Sequence, residues 1–175
     1  MCIRDRSRTA PKFLEALMER EVPEIADGVL EITNCARIPG ERAKIALRAL
    51  QSNIDPVGAA VGVKGVRINA VSAELIGENI DCIEYSPIPE IFITRALSPA
   101  IVQNIKIEKE KAIVSITGDQ KAKAIGKSGI NIRLASMLTG YTIELNEIEG
   151  KTAEPSDTKE PSKTTDTSAL ANLFR

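Results

Sequence analysis

Two short glycine pairs are the residues of this sequence whose types and spacing could do chemistry. Residues 62–65 read GVKG and residues 126–129 read GKSG, so both follow the pattern G-x-x-G. Glycine lets a backbone turn sharply and approach a ligand with no Cβ in the way. A helix that begins after such a loop directs N–H groups and the positive end of its dipole at the same spot. The spacing therefore predicts two sites for the phosphates of a nucleic-acid backbone.

Charge is distributed unevenly around the two loops. Residues 56–73 and 120–143 contain no Asp or Glu, although the chain has 24 acidic residues and a net charge of −1. A surface that is basic at the loops and neutral elsewhere is what a phosphate-binding groove of modest affinity requires. The predicted RNA-binding residues are Gly62, Val63, Lys64, Gly65 and Arg67 near the first loop, and Lys121, Lys123, Gly126, Lys127, Ser128, Gly129, Asn131 and Arg133 near the second.

The elements that must position the first loop are readable from periodicity and turn residues. A helix with an apolar stripe is expected after Thr9 as its cap, with Pro11 in the first turn. Strands are predicted at residues 29–38 and 44–50, joined by a Pro-Gly turn. Asp55 is expected to cap a short helix before the loop, and a longer helix follows from residue 66 to 76. A strand at residues 80–85 completes the unit.

The same order of elements recurs in the second half of the chain. A helix at residues 90–97 precedes strands at 101–108 and 111–117, a short helix capped by Asp119, a helix from 130 to 139 and a strand at 141–146. Four residues of the first unit return 64 positions later, namely Asp55, Ala60, Gly62 and Gly65 as Asp119, Ala124, Gly126 and Gly129. Such self-similarity indicates an internal duplication. The order α-β-β-α-α-β predicts an α/β (α+β) fold of two tandem type II KH domains, a class that clamps about four nucleotides with its G-x-x-G loop.

Composition divides the chain into four parts. Residues 1–8 fit no pattern and are expected to be a leader or the remnant of a preceding domain. Residues 9–86 form the predicted first KH domain and residues 87–148 the second; we refer to them as the first and second repeats. Residues 149–175 are rich in Lys, Thr, Ser, Pro, Glu and Asp and cannot bury enough apolar surface to fold, so they are predicted to be a disordered tail.

Several function classes are disfavoured by composition. With no His and three scattered Cys, we expect no catalytic residues, no metal site and no cofactor; two of the thiols, Cys35 and Cys82, are expected to be buried and free. Aromatic residues make up 3% of the chain, which disfavours base stacking on exposed rings. No apolar run approaches the roughly 18 residues of a membrane span, so no membrane association is expected. A reducing cytoplasm fits these features.

Three rival interpretations follow from the same loops. Residues 126–128 (GKS) match the end of a P-loop, but that motif needs a glycine five residues before Gly126, where Lys121 stands. A DNA-binding helix-turn-helix would need Arg, Asn or Gln along its second helix, which carries here Arg67, Asn69 and then mainly small or apolar residues. The third alternative is a protein-interaction module whose KH-like loops bind no ligand.

Several short segments make the chain similar to a known family. They are residues 7–11 (SRTAP), 21–25 (EVPEI), 55–59 (DPVGA) leading into Gly62, and 124–127 (AIGK) with Asn131 and Arg133. Over about residues 7–145 the chain resembles the NusA family of bacterial transcription termination/antitermination factors. The resemblance implies that the KH pair forms one extended surface for nascent single-stranded RNA and helps to control pausing, termination and antitermination. It also implies RNA polymerase and other elongation factors as partners of the full-length protein.

The sequence departs from that family in two respects. The polymerase-binding and OB-fold domains are absent, and residues 7–8 resemble the tail of the latter, so this chain is expected to be a fragment that does not bind polymerase alone. Val63 stands where a charged or polar residue would reach phosphate better. We therefore expect the first loop to depend more on Lys64 and Arg67.

Overall fold

A computed structural model describes residues 7–148 of the chain. These residues contain two three-stranded sheets flanked by helices, which confirms the predicted α/β fold of two tandem KH domains. Residues 1–6 of the expected leader at residues 1–8, with Cys2, and the expected disordered tail at residues 149–175 lie outside the described part.

The first repeat places its loop inside a crossover connection. Strands β1 and β2 are antiparallel, β2 and β3 are parallel, and the sheet order is β1-β2-β3. Parallel neighbours cannot be joined by a tight hairpin, so the chain crosses over through α3 and α4, with the loop between them. The elements are α1 (Pro11–Glu21), α2 (Pro23–Ala26), β1 (Leu30–Ile38), β2 (Arg42–Ala49), α3 (Pro56–Val61), α4 (Val66–Glu74) and β3 (Asn79–Glu84).

The second repeat has the same topology. Its sheet order is β4-β5-β6, again with one antiparallel and one parallel pairing. Its elements are α5 (Pro89–Ala96), β4 (Asn104–Glu108), β5 (Lys111–Thr117), α6 (Gly118–Ile125), α7 (Ile130–Thr139) and β6 (Thr142–Ile148). Each of its predicted elements is present, most with ends that differ by one to three residues. The short helix α2 of the first repeat was not predicted.

Two of the three predicted helix caps are wrong. Helix α1 begins after Ala10, whose side chain has no acceptor for a cap, and Pro11 fixes φ at the first helical position. Helix α6 begins after Thr117, the last residue of β5, so Asp119 lies inside its first turn. The predicted cap at Asp55 is confirmed, since its Oδ1 accepts a hydrogen bond from the Val57 amide at 3.1 Å.

A shared apolar core holds the two repeats together. Helix α7 lies against β1 and β2 of the first repeat. Ala36, Ala46 and Ile83 of the first repeat belong to the same buried cluster as Leu134 and Leu138 of α7. Burial of this apolar surface stabilises the pair as one unit. The two repeats are therefore packed against each other.

A buried lysine connects the repeats at the same interface. The Lys44 side chain is fully buried, and its Nζ donates to the Ala96 carbonyl at 2.7 Å and to the Ser98 carbonyl at 3.1 Å. Burial lowers the pKa of Lys44, while Asp81 at 3.6 Å opposes that shift. A buried amine needs hydrogen-bond partners. Lys44 of β2 therefore holds the end of α5 and the beginning of the loop between α5 and β4 against the first repeat.

Candidate nucleic-acid interface

The two loops have the same backbone conformation. The first glycines, Gly62 and Gly126, have φ/ψ of 75°/172° and 73°/179°. The third loop residues, Lys64 and Ser128, are left-handed at 54°/24° and 53°/23°. Left-handed φ is uncommon for residues other than glycine and costs about 1 kcal/mol or more. Its repetition at the same position of both loops indicates a conformation that the fold imposes.

Hydrogen bonds inside each loop leave particular amides for a ligand. The glycine amides are already bonded: Gly62 N–H donates to the Gly58 carbonyl at 2.9 Å, and Gly126 N–H donates to the Ala122 carbonyl at 2.9 Å. Gly65 and Gly129 bond back to the first glycine of their loops at 3.1 and 3.3 Å. The residues between the glycines are the first of a helical turn, where N–H groups lack intrahelical partners. These middle residues, not the glycines, can donate to a phosphate.

The first glycine of each loop is required by a close contact. A Cβ on Gly126 would come within 2.7 Å of the Asn131 Cβ, and one on Gly62 within 2.9 Å of the Arg67 Cγ. Both glycines also have positive φ. The loop can therefore turn here only without a side chain.

Arg67 and Asn131, both predicted to bind RNA, bond to the protein itself. They occupy equivalent positions, two residues after the second glycine, and reach equivalent carbonyls. Arg67 Nη1 donates to the Ala59 carbonyl at 2.6 Å, and Asn131 Nδ2 donates to the Lys123 carbonyl at 3.2 Å. We call these two side chains the loop braces.

The two braces differ in burial and charge. Asn131 is 3% exposed, and its Nδ2 also donates to the carbonyls of Leu97 and Ala124 at 3.2 and 3.1 Å. Arg67 is about a third exposed and forms an ion pair with Glu24 at 2.8 Å. The pKa of Glu24 lies below its usual value, first because of a backbone hydrogen bond and then because of Arg67. The guanidinium is therefore neutralised by the protein.

The other predicted cations divide into paired and unpaired groups. Lys121 forms an ion pair with Glu147 of β6 at 2.8 Å. Within residues 7–148, Lys64, Lys123, Lys127 and Arg133 are exposed and form no salt bridge. Residues 56–73 and 120–143 contain no acidic residue, but the fold brings Glu24 to Arg67 and Glu147 to Lys121. Of the predicted cations, the four that form no salt bridge within residues 7–148 are available to bind phosphate.

Three adjoining cavities follow the edge strand β3 between the repeats. The first, of about 420 Å³, lies at the second loop and also touches Arg42. The second, of about 330 Å³, shares Arg42 with it. The third, of about 520 Å³, shares Cys82, Ile83 and Ser98 with the second and reaches Val57 of α3. A trough of adjoining cavities therefore runs from the second loop along β3 to α3, the helix that precedes the first loop.

Residues from the first repeat at the second loop were missed by sequence reasoning. Gly40, Glu41, Arg42 and Asn79 line the cavity at residues 126–128. The Pro-Gly turn before them was predicted, but no sequence pattern indicates that this turn contacts the other repeat. Only the packing of α7 on β1 and β2 places it there.

The two thiols within residues 7–148 are uncharged, and one of them, Cys82, faces the trough. Cys35 and Cys82 are free and partly buried, and burial raises the pKa of each to about 12. Cys82 lines two of the cavities as a neutral thiol at physiological pH.

Among residues 7–148 there is no cluster of His, Cys, Asp and Glu suited to a metal ion. No helix in this part of the chain is both long and apolar enough to span a bilayer.

The fold and the loops together define a pair of type II KH domains. Each repeat has the order α-β-β-α-α-β, and each carries a G-x-x-G loop between the two crossover helices. Family models agree with this assignment: residues 8–85 match the NusA-like first KH domain, and residues 89–153 match the NusA-like second KH domain. The chain therefore belongs to the family of NusA-like tandem KH domains.

Curated relatives are similar over most of this chain. The transcription termination/antitermination protein NusA of Helicobacter pylori strain J99 is 50% identical, over 97% of this chain and 49% of its own length. The protein of the same name from Thermus thermophilus is 52% identical over 82% of this chain and 38% of its own length. The chain thus spans about half or less of the length of these relatives.

A solved structure supports the fold alone. The crystal structure of APE1850 superposes with a TM-score of 0.56 at 18% identity, covering 78% of this chain and 97% of that one. At that identity the likeness extends to architecture and carries no functional information.

Proposed function

We propose that this chain binds extended single-stranded RNA through its two G-x-x-G loops, without catalysis. The observation that carries the proposal is the pair of loops with one backbone conformation, each with an exposed lysine, Lys64 or Lys127, that forms no salt bridge within residues 7–148. Phosphate contacts by lysines and by amides at a helix start are the main source of affinity for a nucleic-acid backbone. The trough along β3 offers a path for one strand between the loops.

The roles of the predicted site residues follow from their partners. Lys64, Lys123, Lys127 and Arg133 supply positive charge, while Ser128 and the middle amides donate hydrogen bonds. The glycines Gly62, Gly65, Gly126 and Gly129 allow the turn, and Arg67 and Asn131 hold it in place. Lys121, which is paired with Glu147, contributes less. Val63 is 82% exposed and offers an apolar surface to a base or sugar rather than to phosphate.

Binding to duplex DNA is disfavoured by the same side chains. A helix-turn-helix protein reads base edges with free polar groups at the start of its second helix. Here the polar residues at those positions, Arg67 and Asn131, are bonded to the protein's own carbonyls. Two polar side chains that could face base edges at the start of these helices are therefore engaged within the protein.

The biological role is proposed from the relatives. We infer that the chain is the RNA-binding part, residues 9–86 and 87–148, of a bacterial cytoplasmic factor that regulates pausing, termination and antitermination of transcription. RNA polymerase and other elongation factors are its proposed partners in the full-length protein. The tandem KH pair would then hold nascent RNA.

A binding experiment tests this proposal directly. The purified chain is titrated into labelled single-stranded RNA, single-stranded DNA and duplex DNA of equal length, and anisotropy is recorded. We expect tighter binding to single-stranded RNA than to duplex DNA. The double variant Lys127→Asp, Ser128→Asp should lose that binding with little change in circular dichroism or melting, because both positions are exposed. Equal affinity of the double variant for RNA would show that the second loop is not the binding site.

A further inference from the structure

We propose that the cavity at the second loop holds one base of the bound RNA and selects a base with an exocyclic amino group over uracil. This inference rests on the proposed function, because it assumes that the second loop binds the backbone of the same strand. The groups that read the base belong to the first repeat, so one repeat would hold the phosphate while the other reads the base.

The cavity is built by both repeats and is large enough for a nucleotide. Its volume of about 420 Å³ lies in the range of small-ligand sites in proteins. The second repeat supplies loop residues 126–128 with Ile130 and Asn131, and the first repeat supplies Gly40, Glu41, Arg42 and Asn79. A phosphate on the second loop therefore places its nucleotide beside the β1–β2 turn.

Two ion pairs, one buried and one partly exposed, fix the wall that the first repeat contributes. The Glu78 carboxylate accepts hydrogen bonds from the Gly40 amide at 2.8 Å and from the Arg37 guanidinium at 2.7 and 2.8 Å. Its hydrogen bonds to Arg37 hold the pKa of Glu78 below its usual value. Arg42 forms a two-bond pair with Asp81 at 2.8 and 3.0 Å. The backbone of the turn that carries Glu41 is thus pinned to the start of β3.

Two side chains of this wall remain available to a ligand. Glu41 and Asn79 are exposed, and neither side chain has a hydrogen-bond partner within residues 7–148. An ionised Glu accepts hydrogen bonds and cannot donate them. It also repels phosphate, so this wall suits a base better than a backbone. Lys127 and Ser128 on the opposite side supply the phosphate contact.

The chemistry of the Glu41 carboxylate determines which base fits. Single-stranded RNA presents the Watson–Crick edges of its bases to side chains. Adenine, cytosine and guanine each carry an amino group that donates to a carboxylate. Uracil offers a single N–H between two carbonyl oxygens, and these oxygens oppose the negative charge of Glu41. Asn79, which can both donate and accept, is compatible with any of the amino-bearing bases.

The test compares equal-length oligomers of adenosine, cytidine and uridine on the whole chain by fluorescence anisotropy. We expect the wild type to bind the adenosine or cytidine oligomer about tenfold more tightly than the uridine oligomer. Glu41→Gln, which turns one acceptor into a donor, should reduce that preference to about threefold or less, with no loss of uridine affinity. Glu19→Gln is the matched control, since it removes the same charge from an exposed position on α1 and should leave the preference unchanged.

The outcomes separate this inference from the proposed function. Binding of the three oligomers with equal affinity by the wild type, or an equal change for all three in Glu41→Gln, would overturn the base-reading cavity while leaving RNA binding intact. Loss of all three oligomers in Lys127→Asp, Ser128→Asp would still support the second loop as the phosphate site. Failure of the wild type to bind any oligomer would overturn the proposed function and this inference together.

Discussion

The first and second loops share a backbone but present different surfaces. Their equivalent φ values agree within a few degrees, so the fold makes the same turn twice. The first loop exposes Val63 and Lys64, and its brace is an arginine paired with Glu24. The second loop exposes Lys127 and Ser128, and its brace is a buried asparagine. The second loop also faces a cavity whose other wall comes from the first repeat.

The two loops share the residues that form the turn and differ in the residues that can contact a ligand. The glycines and the brace recur, so they belong to the construction of the turn. The residues between the glycines differ, so affinity and selectivity can vary without a change of backbone. Because its middle residues are both polar, the second loop is expected to contribute more binding energy than the first.

The largest expected effect comes from charge reversal in the two loops. Lys127→Asp, Ser128→Asp should lower RNA affinity by about a hundredfold, since it removes a cation and places two carboxylates against phosphate. Val63→Asp, Lys64→Asp should lower it by about tenfold. Anisotropy titrations of both variants with single-stranded RNA give the loss of affinity caused by each. A larger loss in the first loop would reverse the proposed order of the loops.

The first glycines offer a second test through stability. Gly126→Ala should destabilise the chain by about 2 kcal/mol, because its Cβ would meet the Cβ and backbone of Asn131 at positive φ. Gly62→Ala should cost about 1 kcal/mol, because it meets the middle of the flexible Arg67 side chain. Urea unfolding gives both values. Equal costs would show that the nature of the brace is irrelevant to the glycine.

Removal of the braces should destabilise the chain by no more than Gly126→Ala does. Asn131→Ala deprives three carbonyls of a donor inside the protein and should cost about 1–2 kcal/mol of stability. Arg67→Ala removes a partly exposed side chain and an ion pair, and should cost about 0.5–1 kcal/mol. The melting temperatures of the two variants test this order. If either variant kept full stability but lost RNA affinity, that side chain would contact RNA after all.

The smallest expected effect is on the salt dependence of binding. Lys127→Ala and Lys64→Ala should each reduce the slope of log affinity against log salt by about 0.7, the value for one phosphate contact on a single strand. Lys121→Ala is the control, because Lys121 is already paired with Glu147. Affinities across a salt series give the slopes. An unchanged slope for Lys127→Ala would remove that lysine from the phosphate contacts.

Much of the architecture could be predicted from sequence because local rules determine it. Alternating apolar residues predicted the strands, and the recurring glycines predicted the two loops and the internal duplication. The direction of a side chain is different, because it depends on what the folded chain places around it. Arg67 and Asn131 read as free polar groups near phosphate, yet they fold back to the carbonyls of α3 and α6. Glu41 and Asn79 gave no pattern at all, since they meet the second loop only through packing between repeats.

If the proposed function is right, the residues between each glycine pair contact one RNA strand. NMR tests this by following the amide chemical shifts of Val63, Lys64, Lys127 and Ser128 during a titration with single-stranded RNA. We expect these amides to shift together at the same RNA concentration, while amides on the far face of α1 do not shift. Saturating RNA that left the four amides unmoved and shifted residues elsewhere would contradict it.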